Sequence, residues 1–158
     1  MALHIIYKSS QAKGKMSLHN FRDYIIETID NQSRSYPVKN SVKVYHFSEM
    51  GNHCHLIVSP KDKEKFKNFS SAVPSVIARK ITGSCKGSPL GKKFFDDIYY
   101  SRVIEWGRDY VGATEYVAHN VFTNWQGTEN ELAELTNIAK QNRTTISDFR
   151  FSLLNMIP

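Results

Sequence analysis

The sequence predicts an α+β fold, an antiparallel β-sheet with helices packed on it, on three observations. Short apolar runs of strand character occur at 2–8, 42–47, 53–58 and 94–104. Between and after them lie stretches whose apolar residues recur at three and four positions, the mark of a helix with one buried face. The runs 42–47 and 53–58 are joined by a short turn holding Glu49 and Gly51, most simply an antiparallel hairpin. A length of 158 residues suits one compact domain. No repeat, low-complexity tract or linker interrupts it, so 1–127 is read as the functional core and 128–158 as a C-terminal helix and tail of the same domain.

Taken in order, 2–8 is a first strand, and the segment 8–15, with Lys8, Lys13 and Lys15, is a flexible basic loop. Ser17 is placed to cap a helix running to about Asp30, with Leu18, Phe21, Ile25 and Ile29 as its core stripe. Residues 31–40, with Pro37, connect to the hairpin. After the hairpin a helix is predicted from Asp62 to about Phe69. Pro74 then opens a second helical piece as a first-turn residue, and Gly83 stops it. A loop rich in Gly, Ser and Lys runs from 82 to 93, a strand or strand pair from 94 to 104, and a helix from about Arg108 to Phe122. An acidic helix at 128–140 and a half-apolar tail at 144–158 complete the chain.

Within the third strand, Asn52-His53-Cys54-His55-Leu56-Ile57-Val58 puts two imidazoles two positions apart. Side chains at i and i+2 leave the same face of a strand, ~6.5 Å apart at Cα, so His53 and His55 can meet one ion while Cys54 points away. A His-x-His also serves in cores, hydrogen-bonded or solvated. A second element favours the ligand reading: in the helix around Gly112-Ala113-Thr114-Glu115-Tyr116-Val117-Ala118-His119-Asn120, Tyr116 and Asn120 are four apart and share a face.

These residues carry a resemblance. The stretch Glu49-Met50-Gly51-Asn52-His53-Cys54-His55-Leu56-Ile57-Val58, then Phe94-Phe95-Asp96-Asp97-Ile98-Tyr99-Tyr100-Ser101-Arg102-Val103-Ile104 and Glu115-Tyr116-Val117-Ala118-His119-Asn120, resembles the single-tyrosine HUH transposases, especially their REP-associated branch, across about 2–125. The resemblance implies a ferredoxin-like or RRM-like core. It implies that His53, His55 and Asn120 hold a divalent ion, Mg²⁺ or Mn²⁺, and that Tyr116 attacks a phosphate of single-stranded DNA, at hairpin-bearing ends. Two positions depart from the family: Gly51 stands where a proline usually precedes the Asn-His pair, and Val121 where a proline commonly follows the asparagine. A glycine at 51 is expected to loosen the start of the strand.

The chemistry agrees. A phenol with pKa near 10 is a poor nucleophile at neutral pH and needs a base or a cation that polarises the phosphate. Mixed nitrogen and oxygen donors suit Mn²⁺ or Mg²⁺ in function, while zinc or copper binds two imidazoles more tightly. Attack by a tyrosine stores the bond as a phosphotyrosine ester, so rejoining needs no ATP. One tyrosine handles one strand end, which predicts a homodimer for a two-ended reaction. Tyr110 is the alternative nucleophile, but one turn beyond it stands Thr114, a poor ligand. Tyr7, Tyr24, Tyr36 and Tyr45 are read as structural or DNA-contacting, and Tyr99 and Tyr100 as packing or groove-lining. His119 is read as a solvated helix residue or a proton-transfer group, and His4, His19 and His46 receive no role.

The net charge is +6. The stretch 61–93 holds nine Lys or Arg against Asp62 and Glu64 and so supplies all of the excess. Lys8, Lys13, Lys15, Arg79, Lys80, Lys86, Lys92, Lys93 and Arg102 are the DNA-binding candidates; a lysine run is also commonly a solvated face. Phe94, Phe95, Tyr99, Tyr100, Trp106 and Trp125 are candidates to stack bases, or core residues. Two cysteines make no disulfide scaffold, and no run reaches the length of a signal peptide or membrane span, so a soluble cytoplasmic protein is predicted. Two functions compete: a metal-dependent tyrosine strand transferase, and a catalytically idle relative kept for binding single-stranded nucleic acid.

Overall fold

The computed structural model describes residues 1–89, 91–97 and 99–123, the last three as backbone. The predicted acidic helix at 128–140, the tail and Trp125 lie outside the described residues. Strand β1 spans Ala2–Lys8, helix α1 Arg22–Arg34, β2 Val42–Glu49, β3 His53–Pro60, α2 Lys63–Thr82, β4 Tyr100–Ile104 and α3 Arg108–Thr123. The four strands form one antiparallel sheet in the order β2-β3-β1-β4. The succession β1-α1-β2-β3-α2-β4 with that order is the ferredoxin-like arrangement.

Strand alternation divides the side chains between two layers. Ile5, Tyr7, Cys54, Leu56 and Val58 point to one face, where Ile25 and Ile29 of α1 and Phe66, Phe69, Val73 and Ile77 of α2 close the main core. The other face carries Ala2, Ile57 and Ile104, covered by Tyr110, Ala113 and Val117 of α3. A bulge between Val44 and His46 inserts one residue into β2. Tyr45 and His46 thereby both lie toward α3, Tyr45 in its apolar cluster and His46 beside the Tyr110 hydroxyl at 3.3 Å.

Three local expectations are corrected. Ser17 caps no α-helix: the chain from Gly14 to Phe21 forms two 3₁₀ turns, and α1 starts at Arg22. The Ser17 hydroxyl donates instead to the Gly51 carbonyl at 3.3 Å, and Leu18 N–H donates to the same oxygen at 2.7 Å. Pinning to the hairpin turn outcompetes a regular first turn. Second, Pro74 opens no new helix; it sits inside the continuous α2, which Asp62 caps through Lys65 N–H at 2.9 Å and Gly83 ends at φ +67°. Third, among the described residues of the 94–104 stretch only Tyr100–Ile104 is strand, and Phe94 and Phe95 are buried in the main core, where neither can meet a base.

Pro74 survives inside α2 because its defect is repaired from outside. A proline has no N–H to give to the carbonyl four residues back, here that of Ser70. The hydroxyl of Tyr7, a fully buried residue of β1, donates to that carbonyl at 3.2 Å. Tyr7→Phe leaves a buried carbonyl unpaired and is expected to cost ~1–3 kcal/mol in urea unfolding. In a Pro74→Ala background, where the helix regains its own donor, the same change should cost clearly less. Equal costs in both backgrounds would rule the repair out.

Candidate active site

The site is built on the start of β3, and the turn before it is tightly held. Met50 N–H bonds to the His53 carbonyl at 2.8 Å and Asn52 N–H to the Met50 carbonyl at 2.9 Å. Between them Gly51 adopts φ +75°, a left-handed conformation that a proline, fixed near −65°, cannot take. The Glu49 side chain, wholly buried, accepts from Gly51 N–H at 3.1 Å and pairs with His19 at 3.0 Å and Arg22 at 3.7 Å. Ser9 N–H adds a bond to the Asn52 carbonyl at 2.8 Å. Gly51 therefore does not loosen the strand start as expected: it permits a turn that a buried carboxylate then clamps.

Beyond the turn, His53 and His55 lie on the α3 face, with ring centroids 4.9 Å apart and planes at 75°. Cys54 points to the opposite core, where burial pushes its thiol up to about 12. Nδ1 of His53 is 2.7 Å from Oδ1 of Asn52. Nδ1 of His55 is 2.9 Å from Nε2 of His4, whose ring stacks on it at 5.1 Å and 26°. His55 is 1% exposed, and its Nε2 is sealed from solvent with no hydrogen-bond partner among the described residues. Tyr116 lies against this group, its ring edge-on to His55 at 5.4 Å and to His4 at 6.0 Å, yet it is 52% exposed. One turn on in α3, Asn120 is buried, whereas His119 is exposed.

All three histidines are held neutral. Burial depresses His53, with the Lys8 charge adding to it, and burial depresses His4, with Arg102 adding. Burial, then His4 and His53, takes His55 down to about 3. Neutral imidazoles have a lone pair to give, which fits a divalent ion. Among the described residues no three His, Cys, Asp or Glu side chains gather into a ligand set. Asn120, the oxygen donor expected from the sequence, is buried one turn beyond Tyr116. An orphaned buried Nε2 beside a second neutral imidazole is what a nitrogen- and oxygen-coordinated metal requires, so the residues present fit one.

Tyr110, the alternative nucleophile, is buried, with its hydroxyl 3.3 Å from His46 Nε2. Burial lowers His46 to about 4. Once unfolded it regains a value near 6.5, so between these values the unfolded chain binds more protons. Stability is therefore full above about pH 6.5 and falls as pH drops toward 4, by about 3 kcal/mol from this group. We expect urea midpoints to drop between about pH 7 and about pH 5, less so in His46→Phe; an identical drop in both would remove His46 as the cause.

The basic candidates separate into groups. Lys8 pairs across from His53, and Arg102 across from His4; both are exposed on the site face, Arg102 bridged to Asp109 at 2.9 Å. Lys13 and Lys15 are exposed in the segment pinned to the hairpin turn, at the His53 end of the sheet. Lys86, Lys92 and Lys93 are exposed on the connection from α2 to β4, whose residue Asp96 bonds through its N–H to the Lys8 carbonyl at 2.9 Å. Arg79 and Lys80 sit on α2, on the face of the sheet away from Tyr116, with Lys80 Nζ over the Tyr24 ring at 5.2 Å. His4 was missed from sequence because only the β1–β3 register, Ile6 opposite His55, makes it a diagonal neighbour.

Sheet order, helix layers and the position of the histidine pair define a ferredoxin-like α+β domain with a polar site between β3 and α3. Neither a protein-family model nor a curated protein matches the sequence. Among solved structures, the fold is similar to that of a REP-associated tyrosine transposase bound to a REP hairpin, with a TM-score of 0.53 and 13% identity over 78% of this chain and 68% of that one. A protein from Deinococcus radiodurans, provisionally assigned as a transposase, aligns with a TM-score of 0.45 and 11% identity over 76% of this chain and 90% of that one. The first likeness is one of fold, and the second is too distant to carry an argument. Among the described residues no helix is long and apolar enough to cross a membrane.

Proposed function

We propose that this chain is a transposase-type, metal-dependent endonuclease and strand transferase for single-stranded DNA, with Tyr116 as nucleophile and His53, His55 and Asn120 as the metal-binding set. One observation carries the reading: a half-exposed tyrosine ring lies 5.4 Å from a buried histidine whose Nε2 has no partner among the described residues. A core tyrosine would be covered, and a core histidine would be bonded at both nitrogens. The structural neighbour bound to a REP hairpin supports hairpin-bearing DNA ends as the substrate.

A bound Mg²⁺ or Mn²⁺ would draw negative charge from the phosphate under attack. The chain's own residues do the rest. The Tyr116 oxygen attacks phosphorus, and its proton passes to the solvent that reaches this ring. The bond from phosphorus to the 3′ oxygen breaks, and that oxygen takes up a proton and leaves as a 3′ hydroxyl. The 5′ phosphate stays esterified to Tyr116 until another 3′ hydroxyl reverses the step. Lys8 and Arg102, on the same face, neutralise flanking phosphates. Two ends need two tyrosines, so the working unit is a homodimer acting in the cytoplasm.

The test is a covalent one. A pool of single-stranded hairpin oligonucleotides, labelled at the 3′ end, is incubated with the full chain and Mn²⁺ and resolved in SDS. A labelled band at the mass of protein plus DNA is expected, and it should disappear with EDTA. DNA binding without such a band would favour the idle binding module instead.

A further inference from the structure

We infer that His4 is a positioning residue: by accepting a hydrogen bond from Nδ1–H of His55, it holds that ring in the tautomer whose Nε2 keeps a lone pair for a divalent ion. The inference deepens the functional reading and rests on it, but the tautomer can be read in the protein alone.

The two rings meet at His55 Nδ1 and His4 Nε2, 2.9 Å apart, and one proton lies between them. If His4 supplied it, neutral His55 would carry its own proton on Nε2. That N–H would be sealed from solvent with no acceptor among the described residues. Left unpaired, a buried Nε2 is costly as donor or as acceptor, but a divalent ion relieves only the acceptor. If His55 supplies the proton, His4 accepts, keeps its own proton on Nδ1, and leaves His55 Nε2 as a bare lone pair. Only this second state can ligate a metal through the buried nitrogen.

His53 repeats the pattern with a different partner. Its Nδ1 lies 2.7 Å from Asn52 Oδ1, and an amide oxygen can only accept, so Nδ1 carries the proton and Nε2 the lone pair. His4 thus does for His55 what Asn52 does for His53. Metal-ligating histidines commonly give their other N–H to an acceptor, which fixes ring orientation and tautomer. Here the acceptor for the inner ring comes from another strand. The β1–β3 register holds it there, with Ile6 opposite His55 and His4 opposite Ile57.

The full chain, labelled with ¹⁵N-histidine, is examined by two-bond ¹H–¹⁵N correlation at neutral pH without metal, then titrated with Mn²⁺. We expect His55 protonated on Nδ1 and bare on Nε2 in the wild type. His4→Leu should turn His55 into a mixture of tautomers and weaken Mn²⁺ binding by ~10–100-fold. His4→Gln offers an amide oxygen in place of the ring nitrogen and should restore both readouts to near wild type. A His55 protonated on Nε2 in the wild type, or a His4→Leu protein with unchanged tautomer and Mn²⁺ affinity, overturns the inference. A wild type with the expected tautomers that takes up no Mn²⁺ supports the role of His4 in setting the tautomer and counts against the metal-dependent function.

Discussion

Tyr116→Phe is expected to abolish the covalent protein–DNA band while the protein still folds and still binds single-stranded DNA. The ring faces solvent over half of its surface, so losing one hydroxyl there removes no buried hydrogen bond and should leave stability within ~0.5 kcal/mol. The ring that packs against His55, with centroids 5.4 Å apart, is one that phenylalanine keeps. What is lost is the oxygen proposed to take the phosphate, and deleting a nucleophile typically costs on the order of 10⁴-fold or more in rate. Tyr110→Phe gives the opposite pattern: the band persists, and stability falls because His46 loses a bonded neighbour. Mass spectrometry of the adduct locates the modified tyrosine directly. A band of undiminished intensity in Tyr116→Phe would end the assignment, and its loss in Tyr110→Phe would move the chemistry to a buried residue.

The hairpin and the tyrosine helix were legible in the sequence because their signals are local. Alternation marks β2 and β3, two-residue spacing places His53 and His55 on one face, and four-residue spacing aligns Tyr116 with Asn120. Where the reading failed, the deciding partner lay far along the chain. Pro74 looked like a helix start because the Tyr7 hydroxyl that relieves its missing donor comes from β1. Ser17 looked like a cap because the Gly51 carbonyl that occupies it belongs to the hairpin turn. Phe94 and Phe95 looked like strand because aromatic runs suit strands and cores alike. The basic stretch at 61–93 raised a subtler difficulty: lying between the histidines and the tyrosine in sequence says nothing about the sheet face, and α2 packs on the other one. His4 is the sharpest case, since one residue of slip in register would turn it to the opposite side.

His53→Ala and His55→Ala should both remove Mn²⁺ binding, yet differ in what they do to the fold. Each takes one of the two imidazole donors proposed for the ion, and among the described residues no group of three His, Cys, Asp or Glu stands by to hold it, so affinity should fall at least ~100-fold. His53 is half-buried, and its Nδ1 contact is with the adjacent residue, so its truncation should cost little in the absence of metal. His55 packs against both His4 and Tyr116; its truncation opens a void and strands the His4 ring nitrogen, a cost of ~2–3 kcal/mol. Thermal melts with and without Mn²⁺ read both effects, because an ion at a hundredfold excess over its Kd stabilises the folded chain by ~2.7 kcal/mol. The wild type should melt higher with Mn²⁺. His53→Ala should melt near the metal-free wild type whatever the Mn²⁺ concentration, and His55→Ala should melt lower than either. A Mn²⁺-induced rise that survives in His53→Ala would mean that the ion sits elsewhere, and the paired imidazoles would then belong to the packing of β3 alone.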